Sequence, residues 1–378
     1  MKKAKRQSNI ELLRIFAMVM IVLFHVQFDG PQALLTGDNG YFAQPIIFLR
    51  LLIFEIGAPF GMIGNGLFII ISGYFMNANE HINTGKIAKK LLLQMGFAAL
   101  TLMLAYAVWI NFFNDGTVYW KTITKNVFND DWWFIGYYFT IIIIAKVFLN
   151  GFTAKLTQNQ FRALLLTVLG VSQFEWSRHL LESLATQLRV LVIGIFFFLL
   201  GGYIARYNPF KKLKTGSVIL AIATGYGIRF LSAYNMVSES IDYFIKSKSA
   251  GRFVQSVQSF SNYEITVVIL VTFIFELFRR WNVPNNAVIN FVGKSTLMIY
   301  FLHGNDFYQN YYIHDSWMET LRASLVMYCL KWLKWAVIAF AIGVAGYAVY
   351  TLLEKMIPRL RPIFFVQDSN DCEVPRAN

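Results

Sequence analysis

Apolar runs of roughly 18 to 25 residues, parted by shorter polar stretches, recur along the whole chain. A helix rising ~1.5 Å per residue needs about 20 such residues to cross a bilayer core of ~30 Å. The pattern predicts an all-α, polytopic integral membrane protein with about 10 transmembrane helices and both termini cytoplasmic. The first span covers 10–28 (IELLRIFAMVMIVLFHVQF), and Ser8-x-x-Glu11 reads as a capping box at its start. An outer loop rich in Gly, Pro and Asp follows at 29–44. Residues 45–76 are too long for one simple span and carry Gly57, Pro59, Gly61, Gly64 and Gly66. They read as an outer or re-entrant helix, broken at those positions, leading into a second span through GLFIIISGYFM. Further spans are expected at 91–114, 132–149, 161–174, 188–207, 216–234, 263–281, 287–308 and 332–353, and the longest outer loop at 235–262. Residues 1–8 form a basic leader, 9–354 the transmembrane domain and 355–378 a basic tail.

Composition agrees with this class: 56% of the 378 residues are hydrophobic and only 15% charged, against about 25% charged in ordinary soluble domains. The net charge of +13 raises nucleic acid as a partner, but its distribution argues for topology instead. Lys2, Lys3, Lys5, Arg6, Lys86, Lys89, Lys90, Lys155, Arg162, Arg206, Lys211, Lys212, Lys214, Arg279, Arg280, Lys355, Arg359 and Arg361 fall in alternate loops assigned to the cytoplasm. Asp29, Asp38, Asp115, Asp130, Asp131, Glu175, Glu182, Glu239, Asp242, Asp306, Asp315 and Glu319 fall in the loops between. No nucleic acid is expected; membrane lipids are, and an anionic cytosolic ligand can also use this charge. The leader resembles a signal peptide, but no small-residue cleavage site follows, so the first span is read as retained in a multi-pass cell-membrane protein. Cys329 and Cys372 are far apart and show neither a disulfide framework nor a zinc pattern.

Arg14 and His25 change the picture. Eleven positions apart, they differ by ~20° after three turns and by ~16 Å along a helix, so they share one face. A guanidinium and an imidazole on one stripe of a span turn that face from lipid toward a cavity or a protein interior. Simpler readings remain beside this one: Arg14 snorkelling or pairing with Glu11, and His25 bonding a neighbouring helix.

Several stretches carry a family resemblance. NIELLRIFAMVMIVLFH resembles the opening of the acyltransferase 3 family, whose first span has an Arg-x10-His pattern. GLFIIISGYFM (66–76) is similar to its second-span run into Ser-Gly-Phe or Ser-Gly-Tyr, and KIAKKLLLQ (86–94) to the basic stretch before its third span, with lysines where the family often has arginine. Asp131-Trp132-Trp133-Phe134 with Tyr137 and Tyr138 is similar to its Trp-rich span opening, and the stretch from Gly293 through Ser295 and Tyr300 to His303 to its Gly-x-x-Ser…Tyr-x-x-His run. Glu354 and Pro358 resemble, more loosely spaced, a Glu/Pro feature after its last span.

The resemblance implies a membrane O-acyltransferase, acting as an O-acetyltransferase, that moves an acyl group from cytosolic acetyl-CoA or another acyl-CoA to a hydroxyl of a surface polysaccharide or lipid-linked glycan. Catalysis would fall to His25, as base or acyl acceptor, with Arg14. Arg14, Lys89 and Lys90 would hold the polyanionic end of the donor. Ser72, Trp133, Ser295, Tyr300 and His303 are candidates for the substrate site, each with a bland alternative in helix bracing or interface anchoring. No His-Glu-x-x-His run, cysteine pair or phosphate loop occurs, so no metal and no tightly bound cofactor is expected. The rival is a transporter or flippase for an anionic solute or glycan intermediate; it calls for matching broken helices in two halves, and only 57–66 is broken.

Overall fold

The computed structural model describes residues 7–32, 48–77, 82–113, 127, 132–174, 188–247, 249, 264–304, 306–313 and 315–356. Among them the regular elements are all helical. Helix α1 (Ser8–Gln27) runs into a π turn (Phe28–Gln32), followed by α2 (Phe48–Gly57), α3 (Phe60–Met76) and α4 (Thr84–Phe113). Helix α5 (Trp133–Ile144) passes through a second π turn into the short α6 (Asn150–Ala154). Then come α7 (Gln158–Gln173), α8 (Leu188–Tyr207), α9 (Thr215–Ser247), α10 (Ile265–Arg280) and α11 (Ala287–His303). Two short helices, α12 (Asp306–Ile313) and α13 (Trp317–Ala323), lead to α14 (Leu325–Met356).

Among the described residues, seven stretches are long and apolar enough to cross a membrane: Ser8–Gly30, Leu52–Met76, Thr84–Phe112, Trp133–Ala154, Leu188–Tyr207, Thr215–Ser247 and Leu325–Met356. The other three expected spans coincide with α7, α10 and α11, of 16, 16 and 17 residues. Residues 1–6 of the leader, residues 33–44 of the first outer loop, Asp131, residues 250–262 of the longest loop and Pro358 lie outside the described residues.

The centre of the bundle is α1 against α3, flanked by α8, α10, α11 and α14. Burial separates the inner helices from the outer ones: 72% of the apolar window is covered in Leu52–Met76 and in Leu188–Tyr207, against 17% in Thr215–Ser247. Leu92, Leu100, Leu104 and Phe112 of α4 and Val326, Leu333 and Val337 of α14 are exposed, as lipid-facing side chains are.

Four sequence expectations change. The chain breaks between α2 and α3 only at Ala58–Pro59, where proline supplies no amide proton to extend α2. Gly61, Gly64 and Gly66 sit inside α3; a Cβ on Gly64 would come 2.5 Å from the Ala17 carbonyl oxygen, so this glycine permits a close crossing of α1 and α3. Ser8 is not a cap, since the residue before the helix is Gln7. The Ser8 hydroxyl instead donates to Asn290 Oδ1 and accepts the Asn286 N–H, both at 2.9 Å, while Glu11 turns to Arg14. Helix α9 continues thirteen residues past the expected span end, because Gly225, Arg229, Ala233, Val237, Ser240 and Phe244 form one buried stripe. The ninth expected span stops at His303, and α12 begins after Gly304. There Trp132 Nε1 donates to the Phe301 carbonyl oxygen at 3.3 Å, serving one of the carbonyls a helix end leaves open.

Candidate active site

A cavity of about 290 Å³ opens between five helices at the end of the bundle where α1 begins. Arg14, Met18 and Ile21, spaced four and three residues apart, form one wall on α1. Phe68, Ser72 and Met76 face them from the antiparallel α3, with Ile87, Lys90 and Leu91 from α4, Phe134, Ile135 and Tyr138 from α5, and Gly293, Lys294, Thr296, Leu297 and Tyr300 from α11.

The mouth is cationic. Arg14 lies 2.7 Å from Glu11 Oε1 through Nη1, so it pairs locally and also lines the cavity. Glu11 is buried because Gly293 brings α11 onto it; a Cβ at Gly293 would lie 2.8 Å from the Glu11 Cβ. Lys90 and Lys294 complete the rim, both exposed. Deeper in, the Ser72 hydroxyl donates to its own helix at Phe68 O (2.9 Å) and sits 3.2 Å from the Tyr138 hydroxyl. The Tyr300 hydroxyl accepts the Phe134 N–H at 3.3 Å, an amide left open by the first turn of α5, and this holds the phenol at the inner end.

The cavity ends at Ile21 and Tyr300. One helical turn beyond them lie His25 and His303, with His25 Nδ1 2.8 Å from His303 Nε2 and the rings 5.0 Å apart at 28°. His303 is buried and its Nδ1 is 2.8 Å from the Ile299 carbonyl oxygen, whereas His25 keeps partial accessibility. One further turn along α1, Asp29 Oδ2 accepts hydrogen bonds from Gln309 Nε2 (3.0 Å) and the Tyr312 hydroxyl (3.2 Å). One stripe of α1 and its π turn thus carries a cation, a cavity wall, an imidazole and a carboxylate in that order.

Residues 7–355 match the Acyl_transf_3 family model, an acyltransferase domain. The chain belongs to the acyltransferase 3 family. Neither a curated protein nor a solved structure matches it. The protein is therefore an acyltransferase built on membrane-type helices.

The remaining candidate residues of the acyltransferase fall in different places. Lys89 does not line the cavity, because adjacent helical residues point ~100° apart and Lys90 takes the inward direction. Ser295 is buried off the cavity, its hydroxyl donating to Val292 O at 2.8 Å, and the next residue, Thr296, faces inward instead. Trp133 is 42% exposed on the outside of α5, while Trp132 beside it packs edge-on to Phe301 with ring centroids 5.0 Å apart. His303 contacts His25 rather than the cavity. Sequence reasoning missed Lys294 and gave Tyr138 no role of its own. The signal for Lys294 was present: a cation one residue after Gly293, two turns into a span, on the same end as Arg14.

Proposed function

We propose that this acyltransferase transfers an acyl group, acetyl foremost, from a cytosolic acyl-CoA to a hydroxyl of an extracytoplasmic or lipid-linked glycan in the cell membrane. All ten apolar helices are crossings in this reading, with both termini cytoplasmic. The observation that carries it is the single α1 face on which Arg14 lines a cavity whose inner end, at Ile21 and Tyr300, lies one helical turn from His25.

The sidedness rests on charge: Lys86, Lys89, Lys90, Lys294, Arg279 and Arg280 gather at the Arg14 end, as the excess of Lys and Arg on cytoplasmic faces requires. At about 290 Å³ the cavity stands at the small end of ligand pockets, room for a slender pantetheine arm but not for a nucleotide. The phosphates therefore stay at the rim with Arg14, Lys90 and Lys294, where charge-assisted hydrogen bonds are strongest. Arg14 and His25 are ~16 Å apart along the helix; the arm carries the thioester to the inner end at Ile21 and Tyr300, and transfer requires these two side chains to part and admit it to the imidazole one turn on.

His303 occupies Nδ1 of His25, so the chemistry falls to Nε2. In direct transfer, Nε2 takes the proton of the glycan hydroxyl while its oxygen attacks the thioester carbonyl; the C–S bond breaks and the thiolate recovers the proton as free CoA. In the two-step route Nε2 attacks the thioester carbonyl and the C–S bond breaks, releasing CoA thiolate; the glycan hydroxyl then attacks the acyl-imidazolium, the C–N bond breaks, and the hydroxyl proton ends on the thiolate, leaving the ester, free CoA and neutral His25. The glycan approaches from the Asp29 end, opposite the donor.

Proteoliposomes given labelled acetyl-CoA and a surface-polysaccharide acceptor test this. Ester-linked label on the glycan is expected, and rapid quench separates an acyl-His25 adduct from direct transfer. Solute movement without any acyl transfer would favour a transporter instead.

A further inference from the structure

The two imidazoles and one backbone carbonyl form a chain whose protons follow from the carbonyl acceptor when both rings are neutral. The Ile299 carbonyl oxygen only accepts, so the hydrogen bond at 2.8 Å requires a proton on His303 Nδ1. A neutral His303 then has a bare Nε2, which only accepts. Its 2.8 Å contact requires a proton on His25 Nδ1. The lone pair of His25 is left on Nε2, and the opposite tautomer would bring two lone pairs together at Nδ1.

We infer that His303 is a positioning residue that fixes the tautomer and ring orientation of His25, leaving Nε2 as its basic nitrogen. This rests on the acyltransferase reading of His25 and adds how that residue is held ready. When Nε2 takes the hydroxyl proton, the imidazolium keeps donating through Nδ1 to His303 Nε2, and the proton returns to the leaving thiolate. No proton moves between the rings. His303 is buried between Tyr300 and His25, so its ring cannot swing away to solvent. Trp132, bonded to the Phe301 carbonyl, fixes the end of α11 that carries it.

The direct test is ¹⁵N NMR of the wild-type protein, histidine-labelled and held in nanodiscs. One histidine, assigned to His25 by its loss in His25→Ala, is expected to carry its proton on Nδ1 with Nε2 bare. A proton on Nε2 of His25 with a bare Nδ1 overturns the inference. Kinetics give the second arm. His303→Leu removes the acceptor, and its kcat is expected to fall about 10²-fold, the lower range of acid–base catalysis, with the KM for acetyl-CoA unchanged. His303→Gln, whose amide oxygen can stand where Nε2 stood, is expected to recover most of that loss. Turnover of His303→Leu equal to wild type, or a Gln variant as slow as the Leu variant, contradicts the role. Full turnover by His25→Ala would instead remove the catalytic reading itself, a result distinguishable from either.

Discussion

Arg14 and Glu11 are joined at 2.7 Å across one turn of α1, yet the same guanidinium lines the cavity. The carboxylate takes up one edge of the fork and aims the rest at the mouth, so Arg14 is oriented before any ligand arrives. Arg14→Gln is expected to raise the KM for acyl-CoA by about tenfold or more, the equivalent of a charged hydrogen bond worth ~1.5–3 kcal/mol. Arg14→Lys should recover only part, because an ammonium is a point charge without the fork. Steady-state kinetics with varied acyl-CoA read both.

The rim lysines are graded by position. Lys90→Ala and Lys294→Ala should each raise that KM by a few fold, as exposed charge pairs worth up to ~1 kcal/mol do, and flatten its dependence on salt. Lys89→Ala, off the cavity, should change it least. Titrations at low and high salt separate the three.

Gly73 follows Ser72 in α3, and a Cβ there would overlap the backbone of Phe198 in α8. Gly201 makes the reciprocal approach, toward the Ile70 carbonyl and the Tyr74 amide. Small residues at this crossing let two inner helices touch through their backbones. Gly73→Ala should destabilise the protein by about 1–3 kcal/mol, visible as a lower Tm in detergent. An unchanged Tm would show that the helices separate at no cost.

Asp315 stands outside the spanning helices, between α12 and α13. Burial pushes its carboxyl up, but hydrogen bonds from Trp335, Lys331 and Lys334 outweigh that and hold it at about 2, below the ordinary 3.8. Trp335 Nε1 donates at 2.7 Å, with Lys331 Nζ at 2.9 Å and Lys334 Nζ at 3.1 Å. A depressed carboxylate stabilises the fold above its unfolded pKa, and that stability disappears as pH falls through the folded value. Asp315→Asn should therefore unfold below wild type at neutral pH, with the gap closing between about pH 4 and pH 2. Thermal scans across that range check it.

Hydropathy made the helical class and the positions of the inner spans legible, and the eleven-residue spacing put Arg14 and His25 on one face of α1. What it hid has physical causes. The extension of α9 to Ser247 is amphipathic: Val237, Ser240 and Phe244 are buried while Glu239 and Lys246 are exposed, so its average hydropathy looks like a loop. Gly61 and Gly64 mark close packing on α1, against Phe24 and the Ala17 carbonyl, and Gly66 marks packing on Phe197 and Val271; a run of such glycines reads like a broken helix when the partners are unknown. The meeting of His25 and His303, 278 residues apart in sequence, depends on how α1 packs on α11, and no local pattern carries that. The facing of Lys90 rather than Lys89 is a matter of helix rotation, which two adjacent lysines leave open.

The measurement closest to the central claim follows labelled acetyl-CoA in membranes containing His25→Ala beside wild type, with folding checked by an unchanged Tm. The account predicts that the variant binds the donor as wild type does, since the Arg14 rim is intact, but places no ester-linked label on glycan. A folded His25→Ala protein that acetylates glycan at the wild-type rate would contradict it.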